Sequence, residues 1–185
     1  MPHKATIPVQ PAPPTTVSPT TDEQNSSSKS NVDWMRIRHM AETERYKEII
    51  DRLHTGPTSP TVQNARAVCL MRLGRGDDAA QILRQLVMPA GCTWMRPDAP
   101  LIYKLNFATS LLLRGLPSGC LSTLREIHEP THPTSIALQA AVQRWVKSLS
   151  PWSRFLWTIG GVEPDGCRVP IDFVPGLFDW DTRLA

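Results

Sequence analysis

Residues 65–86 read Ala65-Arg66-Ala67-Val68-Cys69-Leu70-Met71-Arg72-Leu73-Gly74-Arg75-Gly76-Asp77-Asp78-Ala79-Ala80-Gln81-Ile82-Leu83-Arg84-Gln85-Leu86. Apolar residues recur at helical spacing on both sides of Gly74: Ala67, Leu70 and Leu73 before it, Ala79, Ile82, Leu83 and Leu86 after it. That pattern predicts a helix, a glycine stop and a second helix, each with one apolar stripe. Two helices cannot bury two stripes by themselves, so the pair needs neighbours of its own kind. The stretch therefore predicts an all-α chain built by stacking helical hairpins.

Length and composition suit that expectation. A chain of 185 residues, 41% of them hydrophobic, can bury one core and still carry tails. The net charge of +3 is uneven. Its positive excess lies in the middle of the chain, whereas Glu163, Asp165, Asp172, Asp179 and Asp181 outnumber Arg168 and Arg183 near the C-terminus. A basic body attracts an acidic tail or an acidic partner. Residues 1–30 are rich in Pro, Thr, Ser and Gln, with Ile7, Val9 and Val17 scattered among them. Such a segment buries too little to offset its ordering entropy and is expected to be a disordered tail. Pro11, Pro13 and Pro14 offer a short polyproline ligand as the sharper alternative.

Cys69, Cys92, Cys120 and Cys167 lie far apart, which argues against a zinc ribbon or a redox pair. Cys69 and Cys120 fall in helical segments, where a reduced cysteine packs as a small hydrophobe. With no secretion signal and no long apolar run, a soluble, cytoplasmic protein without membrane association is expected. No cofactor is implied.

The remaining punctuation sets out the other helices. Asn31 is the expected N-cap of a first pair, with stripes Trp34, Ile37, Met40 and Tyr46, Ile49, Ile50, Leu53 around a turn near residues 41–43. Ser59-Pro60 opens the next pair, with proline in the first turn. Asp98 is the expected cap of a helix that runs to about Arg114, Gly115 stops it, and Pro117 opens the next. Pro133 and Ser150-Pro151 open a last pair that Gly160-Gly161 ends. Trp145, Trp152 and Phe155 of that pair are expected in the core. The organisation is thus a tail (1–30), a helical domain (31–161) and an extended acidic segment (162–185).

Internal similarity supports the stack. Moved back by 33 residues, the apolar positions of the opening stretch land on Trp34, Ile37, Met40, Tyr46, Ile49, Ile50 and Leu53. Moved forward by 41, Ala67, Leu70, Gly74, Ala79, Ala80, Leu83 and Leu86 land on Ala108, Leu111, Gly115, Cys120, Leu121, Leu124 and Ile127. With small Ala67, Gly74 at the turn and small Ala79, the unit resembles the tetratricopeptide repeat. The resemblance covers about residues 33–128. It implies an α-α superhelix of three to four hairpins whose first helices line a concave groove for a peptide or protein segment. The groove residues it implies are Met35, Arg38, Val68, Met71, Arg72, Asn106, Thr109 and Leu112. Of these, Val68, Met71 and Arg72 are expected to be exposed. Few positions match a clamp for a terminal carboxylate, so an amphipathic or acidic segment is the better fit.

His128-Glu129-Pro130-Thr131-His132 has the letters of a zinc hydrolase motif, but Pro130 would break the helix that must carry both ligands. The Arg-rich body suggests nucleic acid, yet its cations alternate with acids, as across residues 42–51. Residues 169–180 are unusually apolar, with Val169, Ile171 and Phe173 alternating. They are expected either to cap the last helix or to occupy the groove until a partner displaces them. The leading reading is a noncatalytic protein-interaction scaffold. A nucleic-acid-associated protein comes second and a metal-dependent hydrolase third.

Overall fold

In the computed structural model, residues 32–56 and 58–181 are described. The expected tail over residues 1–30, its proline motif and the expected cap Asn31 lie outside the described residues. Within them the chain forms α1 (Trp34–Glu42), α2 (Tyr46–His54), α3 (Pro60–Arg72), α4 (Gly76–Val87), α5 (Leu101–Leu113), α6 (Pro117–Ile127), α7 (Pro133–Ser148) and α8 (Pro151–Gly160). No strand occurs among the described residues. The fold is all-α, and each helix packs against its sequence neighbours. In addition α3 touches α5, and α5 touches α7, so the first helices of the last three pairs lie side by side.

Proline marks four of the helix starts: Pro60, Pro117, Pro133 and Pro151. Its missing N–H costs nothing in the first turn, where amides lack helical partners. Ser59 and Ser150 each accept an amide hydrogen bond, from Val62 and Ser153. Asp33 caps α1 by accepting from the amide of Arg36 at 3.1 Å. Asp98 does not cap α5. The loop continues to Pro100, and α5 begins at Leu101.

The first three pairs are joined by the same turn. Glu44, Gly74 and Gly115 all adopt positive φ, at 56°, 75° and 80°. In each turn, that residue's amide reaches the carbonyl three residues back: Ala41, Met71 and Leu112 respectively. The amide after it closes a wider ring, from Arg45 to Met40, Arg75 to Leu70 and Leu116 to Leu111. These turns fix the register between pairs. The second and third are 41 residues apart, as the sequence predicts, but the first and second are 30 apart rather than 33. In that register Ala67, Leu70, Ala79 and Leu83 correspond to Ile37, Met40, Ile49 and Leu53, and all eight are buried. A slip of three residues nearly preserves a helical stripe, so hydrophobic periodicity alone could not separate the two registers.

Two buried clusters meet at α5. One runs from Ile37 through Val68 and Leu83 to Phe107 and takes in Phe178. The other joins Leu105, Leu112, Cys120, Leu138 and Trp145 and takes in Val169. Trp145 is in the core as expected, with Trp157 edge-on to it at 5.1 Å. Trp152 and Phe155 are not: they are 69% and 53% exposed, stacked on one another on the outer side of α8. Periodicity identifies an apolar face, but no helix of the described chain packs over this one. Among the described residues no helix is long and apolar enough to cross a membrane. All four cysteines are free, and burial pushes the Cys69 and Cys120 thiols up to about 12.

Candidate functional site: a groove filled by the C-terminal segment

After Gly161 the chain turns back and crosses the stack from α6 towards α1. The Glu163 carboxylate accepts from the amide and hydroxyl of Ser118 at the start of α6. The Cys167 carbonyl lies against Gly115 in the α5–α6 turn. Val169, Ile171 and Phe173 pack on the cluster of α5, α6 and α7, and Asp172 pairs with Arg144 of α7 at 2.6 Å. This path leaves the outer face of α8 uncovered, since Trp152, Phe155 and Ile159 remain exposed.

The next residues, 175–180, lie on α3, α5 and α1, where their main chain is read by side chains. Asn106 accepts from the amide of Leu177 at 2.8 Å and donates to its carbonyl at 2.8 Å. One amide side chain thus satisfies both backbone groups, as a neighbouring strand would. Asn64 donates to the same carbonyl at 3.3 Å and accepts from Asn106 at 2.8 Å. Arg72 donates to the carbonyls of Pro175 and Gly176, both at 3.2 Å, and to the Tyr46 hydroxyl at 3.3 Å. Its guanidinium sits 4.7 Å from the Phe178 ring centroid and 5.4 Å from that of Tyr46.

Side chains of the segment are held as well. Phe178 is 2% exposed and stacks on Trp180 at 4.3 Å, and Trp180 in turn meets Trp34 of α1 at 6.1 Å. Asp179 accepts from Asn64 at 2.6 Å and from the Tyr103 hydroxyl at 2.9 Å. Burial pushes the Tyr103 phenol up to about 12, and the adjacent Asp179 carboxylate adds to that. Gly176 has φ +83° and lies over Val68 and Met71, where a Cβ would come within 2.6 Å of the Met71 methyl. The segment is read by main-chain hydrogen bonds, one aromatic socket and one carboxylate contact.

Of the eight residues expected in the groove, Val68, Met71, Arg72 and Asn106 are brought together under this segment. Val68 and Met71 are buried at 0% and 2% exposure rather than exposed, because the chain's own tail covers them. Thr109 and Leu112 are interior residues of α5, the threonine bonding back to the Leu105 carbonyl. Met35 is 80% exposed, and Arg38 pairs with Glu42 along α1. Sequence reasoning missed Asn64, Tyr46 and Tyr103. Asn64 carried a signal, since asparagine is a poor helix former in the middle of an apolar helix and favours a position where its amide is used.

The two histidines of the His128–His132 motif end different helices. His128 is the left-handed C-cap of α6 and His132 the N-cap of α7, where its ring accepts from the Thr134 amide. They do not share the single helical face that zinc hydrolysis requires. Among the described residues no three His, Cys, Asp or Glu are grouped to hold a metal. No protein-family profile, curated protein or solved structure matches the chain.

Proposed function

We propose that the chain is a noncatalytic protein-interaction module, resembling tetratricopeptide-repeat proteins, whose inner groove reads a short irregular segment that turns at Gly176 and again over residues 178–181. Its own residues 175–181 are the resident ligand, which a competing segment displaces. One observation carries this reading: Asn106 bonds both backbone groups of Leu177, a main-chain contact that does not depend on the side chain at that position. The aromatic socket and the Asn64–Tyr103 contact then select an aromatic residue followed by an acid. The three shared turns support the comparison with helical-hairpin repeats, and the free thiols suit a cytoplasmic setting.

Magnitudes favour a separable ligand over a fixed part of the core. Burying Phe178 fully and Leu177 and Trp180 in part gains about 5 kcal/mol. The side-chain hydrogen bonds to the segment add about 1 kcal/mol each. Ordering residues 175–181 costs about 1–2 kcal/mol per residue. The opposing terms are of similar size, so at most a few kcal/mol hold the segment.

A peptide of residues 172–181 tests the reading when titrated into the Phe178→Ala chain. Saturable binding is expected, with perturbed Asn64 and Asn106 side-chain amide resonances. The same peptide bearing alanine in place of phenylalanine is expected to bind at least about tenfold more weakly. Failure of the phenylalanine peptide to bind this variant while its helices remain folded would exclude a ligand-reading groove.

A further inference from the structure

A second surface lies away from the filled groove. A cleft of about 780 Å³ opens between α6 and α7 beside Trp157 of α8. One wall is a stripe of α6, Leu121, Leu124 and Arg125, continued by its C-cap His128. The other is a stripe of α7, running from Gln139 through Val142, Gln143 and Val146 to Lys147. Each spans about two helical turns, roughly 10–12 Å. Leu124 and Val142 are buried at its base, while Leu121, Val146 and Trp157 are half-buried and face the opening.

The charges around the cleft are of one sign. Arg125 stands on one wall and Lys147 on the other, both exposed. Neither forms a salt bridge among the described residues, and no carboxylate is among the residues that line the cleft. Neighbouring cations are committed elsewhere: Arg144 pairs with Asp172, and Arg154 donates to the last carbonyls of α7. The Glu126 carboxylate accepts from the Met95 amide at 2.6 Å. Two helical walls, an apolar floor and an unpaired cation on each rim specify the complement.

We propose that this cleft docks an amphipathic helix from a partner protein, about two turns of apolar ridge flanked on both sides by carboxylates. The ridge enters between α6 and α7 as a third helix, with anchors spaced i, i+3 or i+4, and i+7. The flanking acids meet Arg125 on one side and Lys147 on the other. A second copy of the chain is disfavoured at this site, because the two-fold contact would oppose like cations.

The test uses two designed helical peptides with the same leucine ridge, one flanked by glutamates and one by lysines, titrated calorimetrically into the full chain. The glutamate peptide is expected to bind at least about tenfold more tightly, with affinity falling as salt is raised. The exposed double variant Arg125→Glu/Lys147→Glu is expected to reverse that order, and Val146→Gln to weaken both peptides while leaving helicity unchanged. Arg125→Gln/Lys147→Gln serves the same purpose, by abolishing the preference, if charge reversal disturbs folding. Equal affinity for the two peptides, no binding of either, or concentration-dependent self-association abolished by the same variants would overturn the proposal.

Discussion

Phe178→Ala is expected to release the C-terminal segment from the groove while the helices stay folded. The ring is 2% exposed, stacked on Trp180 and covered by the Arg72 guanidinium, so truncation removes a full aromatic contact surface. Such a change costs about 3–5 kcal/mol in a packed site. That equals or exceeds the few kcal/mol by which residues 175–181 are held, so the released form becomes the major one. Helical circular dichroism is expected to be retained, limited proteolysis to cut within residues 175–181, and tryptophan fluorescence to change as Trp180 leaves Trp34. Loss of helical signal in step with release of the segment would instead make it part of the core.

Gly115→Ala is expected to be the most damaging glycine substitution, and Gly74 supplies its control. Both glycines occupy the same turn of successive pairs, at φ +80° and +75°. Alanine in that left-handed conformation costs about 1–2 kcal/mol at either site. At Gly74 nothing lies within 4 Å of the added Cβ. At Gly115 the Cβ would sit 2.1 Å from the Cys167 carbonyl oxygen and 3.1 Å from its carbon, which are backbone atoms that cannot swing aside. Either the turn or the returning segment must shift, bringing the total to about 3–5 kcal/mol. Urea unfolding of the two variants measures the difference directly. Equal midpoints would mean that the segment at Cys167 moves freely and does not clamp the turn.

The sequence carries the helices and half of the groove in readable form, for local reasons. Ser59-Pro60, Pro117, Pro133 and Ser150-Pro151 open helices through chemistry confined to one turn, and Gly74 and Gly115 end them in the same way. The apolar stripes of α3 and α4 follow from period alone. Register does not. The first pair is offset by 30 residues rather than 33 because Glu44, without the glycine that marks the other two turns, takes the left-handed position. The stripe Trp152, Phe155, Ile159 shows the opposite limit, since a face can be apolar without any neighbour to cover it.

The site was half legible for a similar reason. Val68, Met71, Arg72 and Asn106 are expected only through the resemblance to a helical-hairpin repeat, carried onto α3 and α5. What they hold depends on contacts more than 70 residues apart, such as Asn106 to Leu177 and Arg72 to Gly176. The alternation of Val169, Ile171 and Phe173 and the acids of residues 163–181 showed that the tail could dock on a basic body. Neither could show that Leu177 would meet a pair of asparagines, because side-chain reading of a backbone leaves no pattern in the segment being read.

Native-state hydrogen exchange at the Leu177 amide distinguishes a separable segment from a fixed part of the core, because that N–H is bound only through Asn106 among its described contacts. It is expected to exchange through a local opening, at a lower free energy than core amides in α3 and α5 and with a weaker dependence on urea. Exchange of Leu177 at the same free energy and with the same urea dependence as those core amides would contradict that expectation, showing that the segment leaves the groove only when the whole stack unfolds.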